Sequence, residues 1–156
     1  MDAPQQDRAG VITLPPLIYI AVFVLGNAAD GLKPLPIFGS GKGFAAGLIL
    51  IAAGLVGAAW AVVSLLRNAT AVNPYKSTTR IVKVGPFRYS RNPIYLADLF
   101  IYGGFALILD TWWPLILVPA LVWIMTTGVI QREERYLTQK FGEQYAAYRK
   151  QTRRWV

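Results

Sequence analysis

The chain has 156 residues, of which 54% are hydrophobic and 15% charged, and it carries a net charge of +8. It contains no cysteine and no histidine. This composition excludes disulfide bonds, a thiol nucleophile, a thiolate metal site and histidine as a general base. We therefore expect no metal site, and any catalysis must come from carboxylates, tyrosine, arginine, lysine, amides or a bound cofactor. The length suits a single domain.

The N-terminal part of the chain predicts two membrane-spanning helices. Residues 1–13 are polar, and the first apolar block then runs from Leu14 to Ala29. Because this block lacks the basic start and the small-residue cleavage site of a signal peptide, we expect a retained helix. A connector rich in proline and glycine, residues 30–42, leads to a longer apolar block from Phe44 to Leu66. Its small residues, some at small-xxx-small spacing, predict close helix packing in lipid.

The C-terminal part predicts a helical hairpin between two polar segments. A basic segment, residues 67–92, precedes a third apolar block from Pro93 to about Leu109. After a tight turn, a fourth block runs from Trp112 to about Ile130, and a polar tail completes the chain. We predict an all-α fold: one polytopic membrane domain with about four transmembrane helices and a C-terminal cytoplasmic amphipathic helix. Its N-terminal helix pair covers residues 14–66 and its second half covers residues 67–156.

Charge asymmetry predicts the orientation of this domain. Residues 67–92 hold six cations and the tail after residue 130 holds seven, whereas the 30–42 connector holds two. The positive-inside rule then places both termini and the basic segment in the cytoplasm, and we expect a bacterial inner membrane. Cations that cluster at the ends of apolar blocks suit anionic headgroups better than nucleic acid, so the expected partner is the lipid bilayer.

The densest basic turn, GPFRYSRNPIYL at residues 85–96, permits two interpretations. In one, Asn92 caps the third helix, Pro93 takes its first position, and Arg88 and Arg91 meet lipid phosphates. In the other, a helix N-terminus flanked by arginine receives a carboxylate or a phosphate. The turn alone does not decide between them.

The tail, QREERYLTQKFGEQYAAYRKQTRR at residues 131–154, carries an acidic pair beside an apolar helix face. That face comprises Leu137, Phe141, Tyr145 and Tyr148. It is expected to lie on the membrane or to fold back over the 67–92 segment. Folding back would bring Glu133 and Glu134 towards the cationic turn, although a surface ion-pair cluster is the simpler alternative. Opposed charges of this kind would suit a zwitterion with a nearby cationic centre.

Asp98, five residues into the third span, is the remaining candidate. An acid at this depth is costly and usually faces a cavity or a partner. Tyr95 and Tyr102 share its helix face. Asp98 either serves function or reaches interfacial water.

Taken together, VKVGPFRYSRNPIYL and REERYLTQKFGEQYAAYRKQTRRW resemble the isoprenylcysteine carboxyl methyltransferase family and its phospholipid methyltransferase relatives. The likeness covers about residues 72 to 155, with two motifs in the right order around a hairpin of the right length. It implies S-adenosyl-L-methionine as the cofactor, bound on the cytoplasmic side. It also implies a lipophilic acceptor that enters sideways from the bilayer.

The resemblance also implies roles for individual residues. The cofactor-binding candidates are Val84, Gly85, Pro86, Tyr89, Arg91, Asn92, Tyr95, Glu133 and Glu134. The substrate-binding candidates, which include the face of the third span, are Tyr95, Asp98, Tyr102, Tyr145, Tyr148 and Arg154. The catalytic candidates are Asn92, Asp98, Glu134 and Arg154, with Arg154 available for a substrate carboxylate or phosphate.

Two departures bear on the acceptor. The prenylcysteine enzymes usually read Arg-His-Pro where this chain has Arg91-Asn92-Pro93, and asparagine cannot accept a proton as histidine can. Asp98 stands where a small residue is expected, which favours a different acceptor such as a cationic amine. The reaction expected is methyl transfer to a small or lipidic carboxylate, amine or thiol at the cytoplasmic face. A membrane reductase using NADPH and a non-enzymatic lipid-binding protein remain alternatives, and the oligomeric state is open.

Overall fold

The fold is described from a computed structural model, which places residues 10–39, 41–70, 72 and 77–156. Its helices are α1 Pro15–Leu32, α2 Gly43–Arg67, α3 Pro93–Ile108, α4 Trp113–Ile116, α5 Val118–Met125, α6 Gln131–Phe141 and α7 Glu143–Gln151. A 3-10 helix, Gly85–Arg88, precedes α3, and a π-helical segment, Thr126–Ile130, joins α5 to α6. Within these ranges there is no β-strand. Residues 1–9 of the predicted polar start and residues 71 and 73–76 of the 67–92 loop lie outside the described residues.

The first three apolar blocks form helices whose ends agree with the prediction to within a few residues. The fourth differs, because α4, α5 and the π-helical segment divide it. The tail differs as well: Gly142 adopts φ +50°, which ends α6 and begins α7. Positive φ suits glycine, so the tail bends at this residue.

Two helices, α1 and α2, are long and apolar enough to cross a membrane. Only 17% of the most apolar stretch of α2 is buried within the protein, which is not the pattern of a soluble core helix. The outward faces instead expose large apolar side chains, among them Val24 and Leu25 on α1 and Ile49 and Val56 on α2. Contact with the hydrocarbon core of a bilayer accounts for these exposed apolar faces. At 16 residues α3 is shorter, and four spans, with both termini in the cytoplasm, remain predictions.

Close contact between α2 and α3 depends on glycine, as the small-residue spacing predicts. A Cβ atom added to Gly47 would lie 2.5 Å from the carbonyl oxygen of Gly104. A Cβ atom added to Gly104 would lie 2.7 Å from the carbonyl oxygen of Gly47. The two backbones therefore approach too closely for any side chain at either position.

Carboxylates fix the connector between α1 and α2. Asp110 accepts hydrogen bonds from the backbone amides of Ile37, Phe38 and Gly39 at 3.1, 2.7 and 2.9 Å. Asp30 accepts one from the Thr111 hydroxyl at 2.7 Å. These acids lie at the end of the helices opposite the basic turn. They satisfy backbone donors that the loop would otherwise leave unpaired.

The buried core joins α1 to the hairpin. Its residues are Val11, Ile18, Tyr19, Tyr102, Leu121, Met125 and Val129. Tyr102 is 4% exposed, and its hydroxyl donates to the carbonyl oxygen of Pro114 at 2.8 Å. The core therefore includes α1, which closes the side of the hairpin beneath the basic turn.

Candidate functional site

A cavity of about 430 Å³ opens between the basic turn, α3 and the tail. Its charged and polar lining includes Arg91, Asn92, Tyr95, Asp98, Glu133, Glu134, Tyr145 and Tyr148. All eight are residues that the sequence singles out. The remaining lining is largely apolar, which is usual for small-molecule sites of about 300–1,000 Å³.

The tail folds back onto the turn, which is one of the two arrangements that the apolar tail face predicts. The backbone amide of Arg91 donates to the carbonyl oxygen of Arg153 at 2.9 Å, within an isolated parallel bridge between Ser90 and Arg153. The Tyr148 hydroxyl donates to the carbonyl oxygen of Phe87 at 2.7 Å. We call this pairing of residues 85–92 with residues 148–154 the latch. It closes one side of the cavity.

Asn92 belongs to the latch and does not cap α3 with its side chain. It occupies the N-cap position, and Pro93 follows at the first helical position as predicted. The side chain makes no capping hydrogen bond; its amide nitrogen donates to the carbonyl oxygen of Arg154 at 2.9 Å. The side-chain cap of the first interpretation is therefore not formed, and the bond to the returning tail fixes the Asn92 side chain instead.

Glu134 is the electrostatic centre of the latch. Arg154 donates to both of its carboxylate oxygens, at 3.0 and 2.8 Å, and Arg91 approaches one of them at 3.2 Å. Glu134 is 7% exposed, and its bidentate bond with Arg154 raises the pKa of that guanidinium. Paired charges with this geometry tie the tail to the turn.

Arg91 retains hydrogen-bonding capacity inside the cavity. Its side chain is only 10% exposed, and one terminal nitrogen reaches Glu134. Its Nε and Nη1 atoms are buried and have no hydrogen-bond partner among the described residues. Unpaired buried donors are costly, so these nitrogens suit an anionic or carbonyl acceptor. Arg91 therefore points into the protein and not, as the first interpretation of the turn expected, towards lipid phosphates.

Glu133 faces a different environment from its neighbour. Its carboxylate accepts a hydrogen bond from the Tyr95 hydroxyl at 2.7 Å, and no described cation pairs with it. Burial raises the pKa of the Glu133 carboxyl to about 7; the bond from Tyr95 opposes this shift and the charge of Glu134 adds to it. Glu133 therefore exchanges its proton near neutral pH, which suits an acid or base.

Asp98 lines the same end of the cavity one turn further along α3. It accepts no hydrogen bond and forms no ion pair with any described residue. A carboxylate that faces an apolar cavity without a partner favours a cationic ligand. Of the two interpretations of Asp98, the cavity favours the functional one.

The remaining predicted site residues lie elsewhere. Val84 and Gly85 line a second cleft, on the outer side of the latch. Pro86 is buried, whereas Tyr89 is 68% exposed. Tyr102 is in the core, and the cavity lining does not include it. Arg154 does not line the cavity, but it contacts two lining residues, Glu134 and Asn92.

Two tyrosines near the cavity were missed by the sequence interpretation. The Tyr19 hydroxyl, on α1, donates to the carbonyl oxygen of Tyr95 at 2.7 Å. Tyr136 lines the cavity on α6, and its hydroxyl accepts from the amide of Thr78 at 3.1 Å. Tyr19 has no motif around it in an apolar block, so no local signal identifies it. Tyr136 follows the acidic pair by two residues, a spacing that could have drawn attention to it.

The basic turn, the hairpin and the acidic pair lie within the residues whose motifs resemble membrane methyltransferases. The family model described as phospholipid methyltransferase matches residues 43–144. The chain belongs to the phospholipid methyltransferase family. No curated protein and no solved structure matched the chain.

The matched range differs from the extent of the motif resemblance. It begins with α2, in which the sequence offered no motif, and it includes the basic turn and the acidic pair. It ends at residue 144, before Tyr145, Tyr148 and Arg154. Family membership supports a methyltransferase over a reductase or a passive lipid-binding protein. The matched range does not include the tail part of the latch, residues 148–154.

Proposed function

We propose that this protein transfers a methyl group from S-adenosyl-L-methionine to a small or lipidic acceptor at the cytoplasmic face of a bacterial inner membrane. The observation that carries the proposal is a single cavity with opposed charges. Arg91 lines it and carries two nitrogens, Nε and Nη1, that have no hydrogen-bond partner among the described residues, and Glu133 and Asp98 supply carboxylates. The cofactor is a zwitterionic amino acid that also carries a sulfonium. Its carboxylate therefore complements Arg91, and its cationic groups complement the carboxylates of Glu133 and Asp98.

The residues present fit the cofactor. Arg91 would hold its carboxylate with Nε and Nη1, and Glu133 lies where a cation is favoured. The apolar lining, with Tyr145 and Tyr148, would take the adenosine. When bound, S-adenosyl-L-methionine supplies an already activated methyl group, so the protein need mainly position the acceptor and exclude water. Asn92, Glu134 and Arg154 contribute by holding the latch closed.

We favour an amine as the acceptor, because Asp98 lacks an internal partner and would hold an ammonium group. An ammonium must lose a proton before its nitrogen can attack. We assign the uptake of that proton to Glu133, since Arg91 and Arg154 already occupy the oxygens of Glu134. Tyr95 positions Glu133 through its hydroxyl. Both halves of the domain, residues 14–66 and 67–156, are needed, since α1 supports Tyr95 through Tyr19.

Thermal stabilisation of the full-length protein in detergent separates the three candidate functions. We expect S-adenosylhomocysteine at about 100 times its Kd to stabilise the fold by about 2.7 kcal/mol and NADPH to have no effect. Stabilisation by NADPH alone would indicate a reductase, and stabilisation by neither would indicate a lipid-binding protein.

Two variants with the same chemical change test the site. Glu133→Gln removes a carboxylate from the cavity, whereas Glu143→Gln removes one from the exposed start of α7. We expect only Glu133→Gln to weaken S-adenosyl-L-methionine binding, and equal binding by both folded variants would refute the assignment. Labelled methyl transfer to lipids with amine, carboxylate or quaternary ammonium headgroups then tests the acceptor, for which we expect the amine alone to be methylated.

A further inference from the structure

The second cleft lies on the opposite side of the latch from the methyl-transfer cavity. Its volume is about 560 Å³, and it is lined by Lys83, Val84, Gly85, Arg88, Tyr148, Gln151 and Thr152. One wall is the basic turn and the other is the end of the tail. Tyr148 contributes to both sites, so it separates them.

The charge of this cleft is entirely positive. Lys83 and Arg88 are exposed, and neither forms an ion pair or a side-chain hydrogen bond with a described residue. None of the lining residues is acidic. The carboxylates near the latch, Glu133 and Glu134, face the other side of Tyr148. An anion is therefore the complementary ligand.

The cleft lies beside an apolar surface. Gly85 has φ +60° and packs so closely on α2 that an added Cβ atom would lie 2.6 Å from the Ser64 hydroxyl oxygen and 3.2 Å from the indole nitrogen of Trp60. Trp60 is 51% exposed, and Leu66 at the end of α2 is 63% exposed. A tryptophan between an apolar face and a basic loop is typical of the headgroup level of a bilayer.

We propose that this cleft binds the phosphate of an anionic phospholipid, with Lys83 and Arg88 as its ligands. The acyl chains would follow the exposed apolar face of α2 beside Trp60 and Leu66. The headgroup would lie between the turn and Gln151, so it would contact both segments of the latch. This site is separate from the methyl-transfer cavity, and its test does not depend on catalysis.

Native mass spectrometry of the full-length protein, titrated with phosphatidylglycerol and with phosphatidylcholine, tests the proposal. We expect tighter binding of phosphatidylglycerol to the unmodified protein. The double variant Lys83→Ala/Arg88→Ala should weaken that binding about 30-fold, on the basis of about fivefold for each cation near the surface. The exchange variant Lys83→Arg/Arg88→Lys should retain it, which separates loss of charge from misfolding.

A matched control removes two cations from the opposite end of the helices. Lys33→Ala/Lys42→Ala has the same net charge as the cleft variant and should leave phosphatidylglycerol binding unchanged. Equal weakening by both double variants would show diffuse attraction and overturn the proposal, as would undiminished binding by Lys83→Ala/Arg88→Ala. Displacement of the lipid by an equal concentration of soluble glycerophosphate would identify a free phosphate ligand instead.

Discussion

Glu134→Gln tests the electrostatic account of the latch most directly. The change preserves the size of the side chain but removes the charge that faces Arg91 and Arg154. Loss of one partner from a fully buried ion pair costs about 3–5 kcal/mol. The Arg154 side chain is 33% exposed, so water compensates part of the ion pair that it loses. The Arg91 side chain is 10% exposed and would be left as a buried cation. We therefore expect the lower end of that range, about 3 kcal/mol.

Thermal unfolding in detergent, followed by circular dichroism, measures this loss against Glu143→Gln as the control. A loss of about 3 kcal/mol corresponds to a Tm lower by about 6–12 °C for a chain of this size. The exposed control should change the free energy of unfolding by about 0.5 kcal/mol or less. Hydrogen exchange at the Arg91 amide, which bonds to the tail, should accelerate in Glu134→Gln alone. Equal Tm values and equal exchange in the two variants would refute the ion-pair account.

Three further predictions follow from individual contacts. The pKa of Glu133 is raised to about 7 from an ordinary value of 4.5, so the folded state binds its proton more tightly than the unfolded state does. Stability should then fall as the pH rises from about 4.5 to 7, and Glu133→Gln should lessen that fall in Tm. Gly47→Ala should destabilise the protein by about 1–3 kcal/mol in chemical denaturation because its Cβ atom meets backbone, whereas Gly57→Ala, with its nearest neighbour at 3.7 Å, should be neutral or stabilising. Tyr148→Phe should cost about 1 kcal/mol by the same measurement through its lost hydrogen bond, and the exposed Tyr89→Phe should cost almost nothing.

Sequence patterns predicted the elements that local chemistry controls. Apolar block length located α1, α2 and α3, and Pro93 marked the start of α3. Of the two arrangements that the apolar face of the tail left open, the structure has the one that brings the acidic pair to the basic turn, with Arg91 3.2 Å from Glu134. These signals suffice because each is carried by residues close together in the chain or by a charge pair that attracts at long range.

The failures share a different cause. Asn92 bonds to a carbonyl 62 residues away, and Tyr19 to one 76 residues away. Such partners depend on how α1 and the tail pack against the hairpin, which no local pattern encodes. The surroundings of Gly85 also depend on a distant element. Its positive φ suits either a close approach to a ligand or a turn, and the structure shows that it packs against the end of α2.

The adjacent acids show why an intact motif does not define roles. Consecutive helical residues point about 100° apart, so Glu133 and Glu134 face different surroundings. Glu134 meets two guanidinium groups and holds the latch, whereas Glu133 meets a tyrosine hydroxyl and remains available for a proton. Under the proposed function we expect a substitution of either to abolish methyl transfer, Glu134 because the cavity opens and Glu133 because the proton acceptor is lost. Only measurements that separate cofactor affinity from the pH dependence of turnover would distinguish these two losses.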